Sequence, residues 1–246
     1  MHIQTVAKKL AKFLSFISLI AFFACSAVIA HTYYETYKVK ETNNQLNEIR
    51  KMSLQEEEGD WSNGMLAINP DYAGWLTVYG TQVNGPVVLG ETNDTYLRTD
   101  FYGQPSTAGT MFLDASTDLS SEGNLIIYGH KMKNDTMFGS LDLFKSPQFF
   151  QENGVVRWED KDGNHYYHIF AGLVVPGSAD ANGFINFPDW NNKISKDETD
   201  KMLETIQSRA FAFQEEWTTD DDTYIFLVTC DYSRTNGRLV LVGRSM

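Results

Sequence analysis

From residue 61 onward, apolar residues come in short runs separated by turn signals, at spacings that suit strands better than helices. Eight runs stand out, at 75–79, 86–89, 111–114, 124–129, 154–159, 165–175, 223–230 and 238–242. Asp162-Gly163 lies between two of them and predicts a hairpin turn. Eight strands with few long helices between them predict a mainly β fold with added helices, closed or nearly closed into a barrel. Two helices are expected within it. One covers about 136–144, with Met137, Leu141 and Phe144 on one face. The other starts at Ser195, where Glu198 completes a capping box, and carries Met202, Leu203, Ile206 and Ala210 to about Phe213. No internal repeat is visible.

The first sixty residues follow a different pattern. Residues 13–30 contain no charged side chain. As a helix this stretch is about 27 Å long, close to the thickness of a bilayer core. Lys8, Lys9 and Lys12 precede it, which predicts an anchor with its N-terminus in the cytoplasm and the body outside. A cleaved signal peptide, with Val28 and Ala30 at the small-residue positions, is the rival reading, and a lipoprotein modified at Cys25 fits less well. Residues 31–60 carry a loose helical spacing of Tyr37, Leu46, Ile49 and Met52 before the acid run at 56–58, as expected of a juxtamembrane helix or spacer. The expected organisation is therefore 1–30 basic tip and membrane helix, 31–60 juxtamembrane linker, and 61–246 soluble domain.

Composition narrows the chemistry. The chain has 246 residues and a formal net charge of −12, with 13% aromatic residues, which excludes a disordered chain. With the leader's lysines set aside, 17 basic side chains face 32 acidic ones. Such an acidic body excludes a nucleic-acid backbone as partner. His165 and His168, three apart in an expected strand, point to opposite faces and make a poor metal pair; no metal and no cofactor is expected.

Only two cysteines are present, Cys25 in the apolar stretch and Cys230 in the body, and they cannot pair across those compartments. Cys230 ends an expected strand. If strands 223–230 and 238–243 pair antiparallel across the Asn236-Gly237 turn, Arg238 lies directly opposite it. A guanidinium beside a thiol favours the thiolate and offers donors to an oxyanion. His130 ends another strand behind a glycine, a placement that suits a proton-transfer group. Arg234, inside the turn, is a rival to Arg238 that is less rigidly held.

These residues carry a resemblance. Leu227-Val-Thr-Cys230 followed by Arg238-Leu-Val-Leu-Val resembles the C-terminal signature of sortases, with Phe226 where the family has its first threonine. Tyr128-Gly-His130 with Asn134-Asp-Thr-Met-Phe138 resembles the histidine segment of class B sortases. Asn69-Pro-Asp-Tyr-Ala-Gly74-Trp75-Leu, Pro86-Val-Val (then Leu89, where a glutamine is common) and Asn93 to Leu97 resemble the same class. The match spans about 65–244.

The resemblance implies an eight-stranded sortase barrel and a membrane-anchored cysteine transpeptidase of a Gram-positive cell. In that reading Cys230 is the nucleophile, His130 the general acid and base, and Arg238 the oxyanion or carbonyl stabiliser. Asn93, Leu97 and Thr229 match positions near the peptide groove. The implied partners are a sorting-signal peptide of secreted surface proteins, of Asn-Pro-x-Thr or Leu-Pro-x-Thr type, and a peptidoglycan precursor or cross-bridge amine. Class C members typically add a C-terminal hydrophobic segment, which is not seen before Met246. Asp231 adjoins the cysteine more closely than the family's usual acidic residue, which leaves a supporting role for it in doubt.

Two other functions stay open at this stage: a secreted cysteine endopeptidase that uses water as acceptor, and a catalytically silent surface domain with a buried Cys230. Asp160-x-Asp162-Gly163-Asn164 looks like a calcium loop but lacks its glycine and terminal glutamate, so a hairpin is expected there. Asp220–Asp222 reads as a solvated loop, and the Asn-x-Thr triplets at Asn93 and Asn134 carry little meaning.

Overall fold

The computed structural model describes residues 2–53, 63–214, 219 and 221–246. The acid run at 56–58, Trp61 and Asp220 lie outside these residues. The chain divides into two compact units, one ending at Glu41 and the other running from Thr42 to Met246.

The first unit belongs to one long helix, α1 (His2–Ser53). Its apolar side chains from Phe13 to Ile29 are solvent-exposed. Among the described residues this is the one helix long and apolar enough to cross a membrane. Thr32 and Thr36 return their hydroxyls to the carbonyls of Val28 and Thr32, a local bond that leaves the helix unbroken.

The second unit is a closed barrel of eight strands with a ninth strand added, and a short helix, α2 (Asn63–Ile68), precedes the first strand. The strands are β1 (Tyr72–Val78), β2 (Asn84–Val88), β3 (Met111–Leu113), β4 (Leu125–Tyr128), β5 (Val155–Asp160), β6 (Gly163–Pro176), β7 (Ala210–Phe213), β8 (Tyr224–Asp231) and β9 (Gly237–Ser245). The order β5-β1-β2-β3-β4-β8-β9-β6 closes on itself through the β5–β6 pair, and β7 is added outside that ring. All eight runs read from the sequence are strands of the ring. The β5–β6 turn is a hairpin as expected, with Gly163 at φ +124°, and Asp160 accepts from Asp162 N at 2.9 Å.

Two expectations about helices need correction. The helix from Ser195, α4 (Lys196–Arg209), has the capping box but ends before Ala210. Residues 210–213 are β7, paired with Ala171, Gly172 and Leu173 of β6. The partner of β6 on that side changes from β5 to β7 along its length, so β7 satisfies backbone groups that would otherwise form an open edge. The expected 136–144 helix is a 3-10 helix over Gly139–Lys145. It starts late because Asp135 (φ +63°) and Met137 (φ +52°) are left-handed. It is followed by a helix absent from the sequence reading, α3 (Pro147–Glu152), capped by Ser146 with proline at its start.

The spacer reading of residues 31–60 is also revised from Thr42 onward. Leu46 is fully buried among Met65, Tyr72, Trp75, Val88, Tyr96, Phe101 and Phe112, with Ile49 packed at the margin. Tyr37 and Met52, from the same expected stripe, are exposed. One turn beyond Leu46, Arg50 meets Glu159 of β5 at 2.5 Å and lies over the Trp75 ring at 4.8 Å. The end of α1 is thus part of the globular unit, held by burial and a desolvated ion pair. A second cluster joins Phe226 and Val228 of β8 and Val240 and Val242 of β9 to Met202 and Ile206 of α4.

Leu46→Ala is expected to lower stability by about 2–5 kcal/mol, and Arg50→Met by about 3 kcal/mol because buried Glu159 loses its close partner and keeps only Arg157 at 3.8 Å. Met52→Ala, on the exposed side, should leave it unchanged. Urea unfolding of the three variants checks the assignment; an unaffected Leu46→Ala would mean the helix end is not part of the core.

Candidate active site

Strands β4 and β8 run parallel, in register from Leu125↔Ile225 to Tyr128↔Val228. The two chains stay together past the end of β4, since Gly129 N donates to Val228 O at 3.2 Å and Thr229 Oγ1 donates to Gly129 O at 2.7 Å. Extending this register by two residues sets His130 alongside Cys230. On the other side β9 is antiparallel to β8, and Cys230↔Arg238 is a directly opposed pair. His130, Cys230 and Arg238 therefore form a row across three neighbouring strands, whose spacing is about 4.8 Å. All three are half-buried. The face is set by alternation: Tyr224, Phe226 and Val228 pack in the α4 cluster, and Cys230 is the next residue on that face, beyond the cluster's end.

His130 is held from two directions. Its Nε2 lies 2.8 Å from the Leu97 carbonyl oxygen. A carbonyl can only accept, so this bond puts the proton on Nε2 and leaves Nδ1 as the nitrogen that gains or loses one. Its own carbonyl accepts from Phe138 N at 2.9 Å. The preceding Gly129 has no room for a side chain, since a Cβ there would lie 2.8 Å from the Phe138 ring.

Arg238 Nη1 donates to Gly237 O at 2.9 Å and to Asn236 Oδ1 at 3.1 Å. Its Nε and Nη2 have no partner among the described residues and remain available as donors. The guanidinium lies against Gly177, where a Cβ would come within 2.7 Å of Cζ. Arg234 is exposed.

Behind this row a buried carboxylate ties several segments together. Asp114 Oδ2 accepts from Asn93 Nδ2 at 3.0 Å and Tyr128 Oη at 3.1 Å, while Oδ1 accepts from Ser116 N and Oγ at 3.0 and 2.6 Å. Burial pushes the Asp114 carboxyl up, but the hydrogen bonds from Ser116, Asn93 and Tyr128 outweigh it and hold it below the ordinary carboxylate range. The Tyr128 hydroxyl is raised by burial and by Asp114, an effect that the nearby Arg238 charge partly offsets.

The remaining sequence candidates are placed as follows. Asn93 spends its amide on Asp114 and its carbonyl on Ala115 N at 2.7 Å. Leu97 reaches the site through its backbone carbonyl on His130. Thr229 is buried and faces away from Cys230, with its hydroxyl bonded to Gly129. It is not brought together with the three row residues. The sequence pattern does not mark Asp114 as a hub, because two of its four donors, Asn93 and Tyr128, lie 21 and 14 residues away. Asp231, next to the thiol, is buried. Desolvation raises its carboxyl, but hydrogen bonds from Lys145 and Ser233 prevail and keep it lowered.

A thiol in line with an imidazole and a guanidinium is equipped for acyl transfer through a covalent intermediate. The Sortase domain family model matches residues 76–246 of the chain. The chain is 28% identical over 224 residues to Sortase B of Staphylococcus aureus (strain NCTC 8325 / PS 47), covering 88% of each protein. It is similar to the crystal structure of Clostridium perfringens sortase B, with 30% identity and a TM-score of 0.68 over 75% of this chain and 99% of that one. The Staphylococcus aureus sortase B-substrate complex gives a TM-score of 0.75 at 23% identity, over 86% of this chain and 98% of that one.

Because the folded-state pKa of Asp114 is depressed, its contribution to stability is present above the unfolded value and is lost as pH falls through the folded one. Asp114→Asn is therefore expected to destabilise the protein at pH 5 and progressively less as pH falls below 4. Urea midpoints of both proteins at pH 5, 4 and 3 test this, and a constant gap across that range would refute it.

Proposed function

The chain belongs to the sortase family, within its class B branch, and is a cysteine transpeptidase; on that premise we propose that Cys230 is its nucleophile, His130 its general acid and base, and Arg238 the donor to its oxyanion. The observation that carries this assignment is the row set by the β4–β8–β9 register, which joins the three side chains the chemistry needs.

The steps follow from the groups. His130 Nδ1 takes the thiol proton, Cys230 Sγ attacks the carbonyl carbon of the threonine in a sorting signal as the thiolate, and the carbonyl oxygen becomes an oxyanion facing the free Nε and Nη2 of Arg238. The C–N bond then breaks, and His130 Nδ1 gives its proton to the departing amine, leaving a thioester on Cys230. An amine of the cell wall attacks the thioester, His130 takes up its proton, and the thiolate leaves as the new amide forms. The Leu97 carbonyl on Nε2 holds the ring so that Nδ1 serves in both directions.

The class B resemblance favours an Asn-Pro-x-Thr signal over a Leu-Pro-x-Thr one, and the peptide would run past the segment from Asn93 to Leu97. Residues 1–30 serve as a cytoplasmic tip and a single membrane-crossing anchor, supported by the lysines before the apolar stretch and by the exposure of its side chains. Residues 31–41 continue the helix as a spacer, and the catalytic body stands outside the cell.

Full-length chain in detergent, incubated with Asn-Pro-x-Thr and Leu-Pro-x-Thr peptides with and without triglycine, is expected to give a thioester mass on Cys230 that amine resolves faster than water. Cys230→Ala and His130→Ala should abolish turnover with the fold intact. Arg238→Ala should lower kcat by about 10²–10³-fold, and Arg234→Ala by less than about twofold. Turnover by Cys230→Ala, or an adduct at another residue, would overturn the mechanism; equal resolution by water would make the enzyme an endopeptidase.

A further inference from the structure

Both strand ends of the proposed site continue into loops that meet over the 3-10 helix Gly139–Lys145, and the residues that join them are charged. Asp231, one residue after Cys230, has a side chain with no solvent exposure. Its Oδ2 receives Lys145 Nζ, with Lys131 Nζ at 3.9 Å, and its Oδ1 receives the hydroxyl of Ser233 and, at 2.9 Å, its backbone N–H. Lys131, one residue after His130, pairs with Asp142 at 2.5 Å and lies 5.3 Å from the centre of the Tyr232 ring. Asp142 and Lys145 are themselves 3.0 Å apart on the 3-10 helix.

Two cations and two anions thus bridge the residue after the thiol, the residue after the imidazole and one helix. The intervening loop needs such restraint. It holds two non-glycine residues, Asp135 and Met137, in the left-handed region, against which act bonds such as Asn134 Oδ1 accepting from Thr136 Oγ1 at 2.7 Å and Phe138 N donating to His130 O at 2.9 Å. A carboxylate desolvated this completely cannot leave its cations without heavy loss, so the network resists any slip between the two strand ends.

We propose that Lys145, with Asp231, Lys131 and Asp142, is a positioning network that holds Cys230 and His130 in reacting register without touching the substrate. This rests on the assignment of those two residues as nucleophile and acid–base. In full-length chain assayed with an Asn-Pro-x-Thr peptide of fixed x and triglycine, Lys145→Met should lower kcat at least tenfold with KM within twofold, and Lys145→Arg should restore at least half of kcat. The double variant Asp231→Asn/Lys145→Met should lose no more than about twofold beyond the worse single variant, as expected of residues acting as one unit. Circular dichroism records the folded fraction of each. Wild-type kcat in Lys145→Met, a loss that only follows the unfolded fraction, or equal losses in Lys145→Met and Lys145→Arg would each overturn the proposal. Cys230→Ala in the same assay separates the levels: if it is inert while Lys145→Met is fully active, the network alone falls, and if it or an inert unaltered chain contradicts the assigned nucleophile, both fall.

Discussion

The site depends on the parallel pairing of β4 with β8. Parallel neighbours end at the same rim, so the residues that leave them, His130 and Cys230, meet although one hundred positions separate them in the sequence. An antiparallel pair at this place would put the two strand ends roughly 25 Å apart, at about 3.3 Å per residue along the eight-residue β8. The chain earns that parallel neighbour through the long excursion of β5, β6, α4 and β7. Once β8 is seated, the tight turn to β9 brings Arg238 back beside Cys230 from only a few residues away.

Around this row the structure spends its polar groups inward. Asp114 takes four donors and Asp231 is ringed by Lys145, Lys131 and Ser233, so buried carboxylates hold the loops that surround the row residues. Each is stabilised in its charged form against the cost of burial, which makes the arrangement rigid: losing one donor leaves a desolvated charge underserved. Close packing acts in the same direction. Gly129 leaves the space that the Phe138 ring occupies, and Gly177 the space that the Arg238 guanidinium occupies. The thiol, the free imidazole nitrogen and the Nε and Nη2 of Arg238 are the groups of this half-buried row left without a partner among the described residues.

The end of α1 extends the same logic to the far wall of the barrel. Leu46 contributes a buried apolar side chain, and Arg50 a charge matched to Glu159 and stacked on Trp75. The globular unit therefore begins at Thr42, well before the first strand.

The alternation of apolar residues and turn signals is enough to read all eight strands of the ring, because each strand buries one or both faces and its ends are marked by local chemistry such as Asp162-Gly163. The capping box at Ser195 is likewise a contact between residues three apart, and the pairing of Cys230 with Arg238 follows from one short turn. The sequence pattern fails where the decision belongs to a distant neighbour. Residues 210–213 continue a helical stripe, yet they become β7 because β6 presents unpaired backbone there. Leu46 and Ile49 share a stripe with Tyr37 and Met52, yet only the first two meet the barrel. The residue types of the site, a cysteine and a histidine at strand ends and an arginine opposite, were determined by the sequence alone. That Thr229 turns away from the thiol, that Asp114 gathers Asn93 and Tyr128, and that Asp231 is caged by lysines was decided by the tertiary structure, since those contacts join segments whose spacing along the chain carries no period.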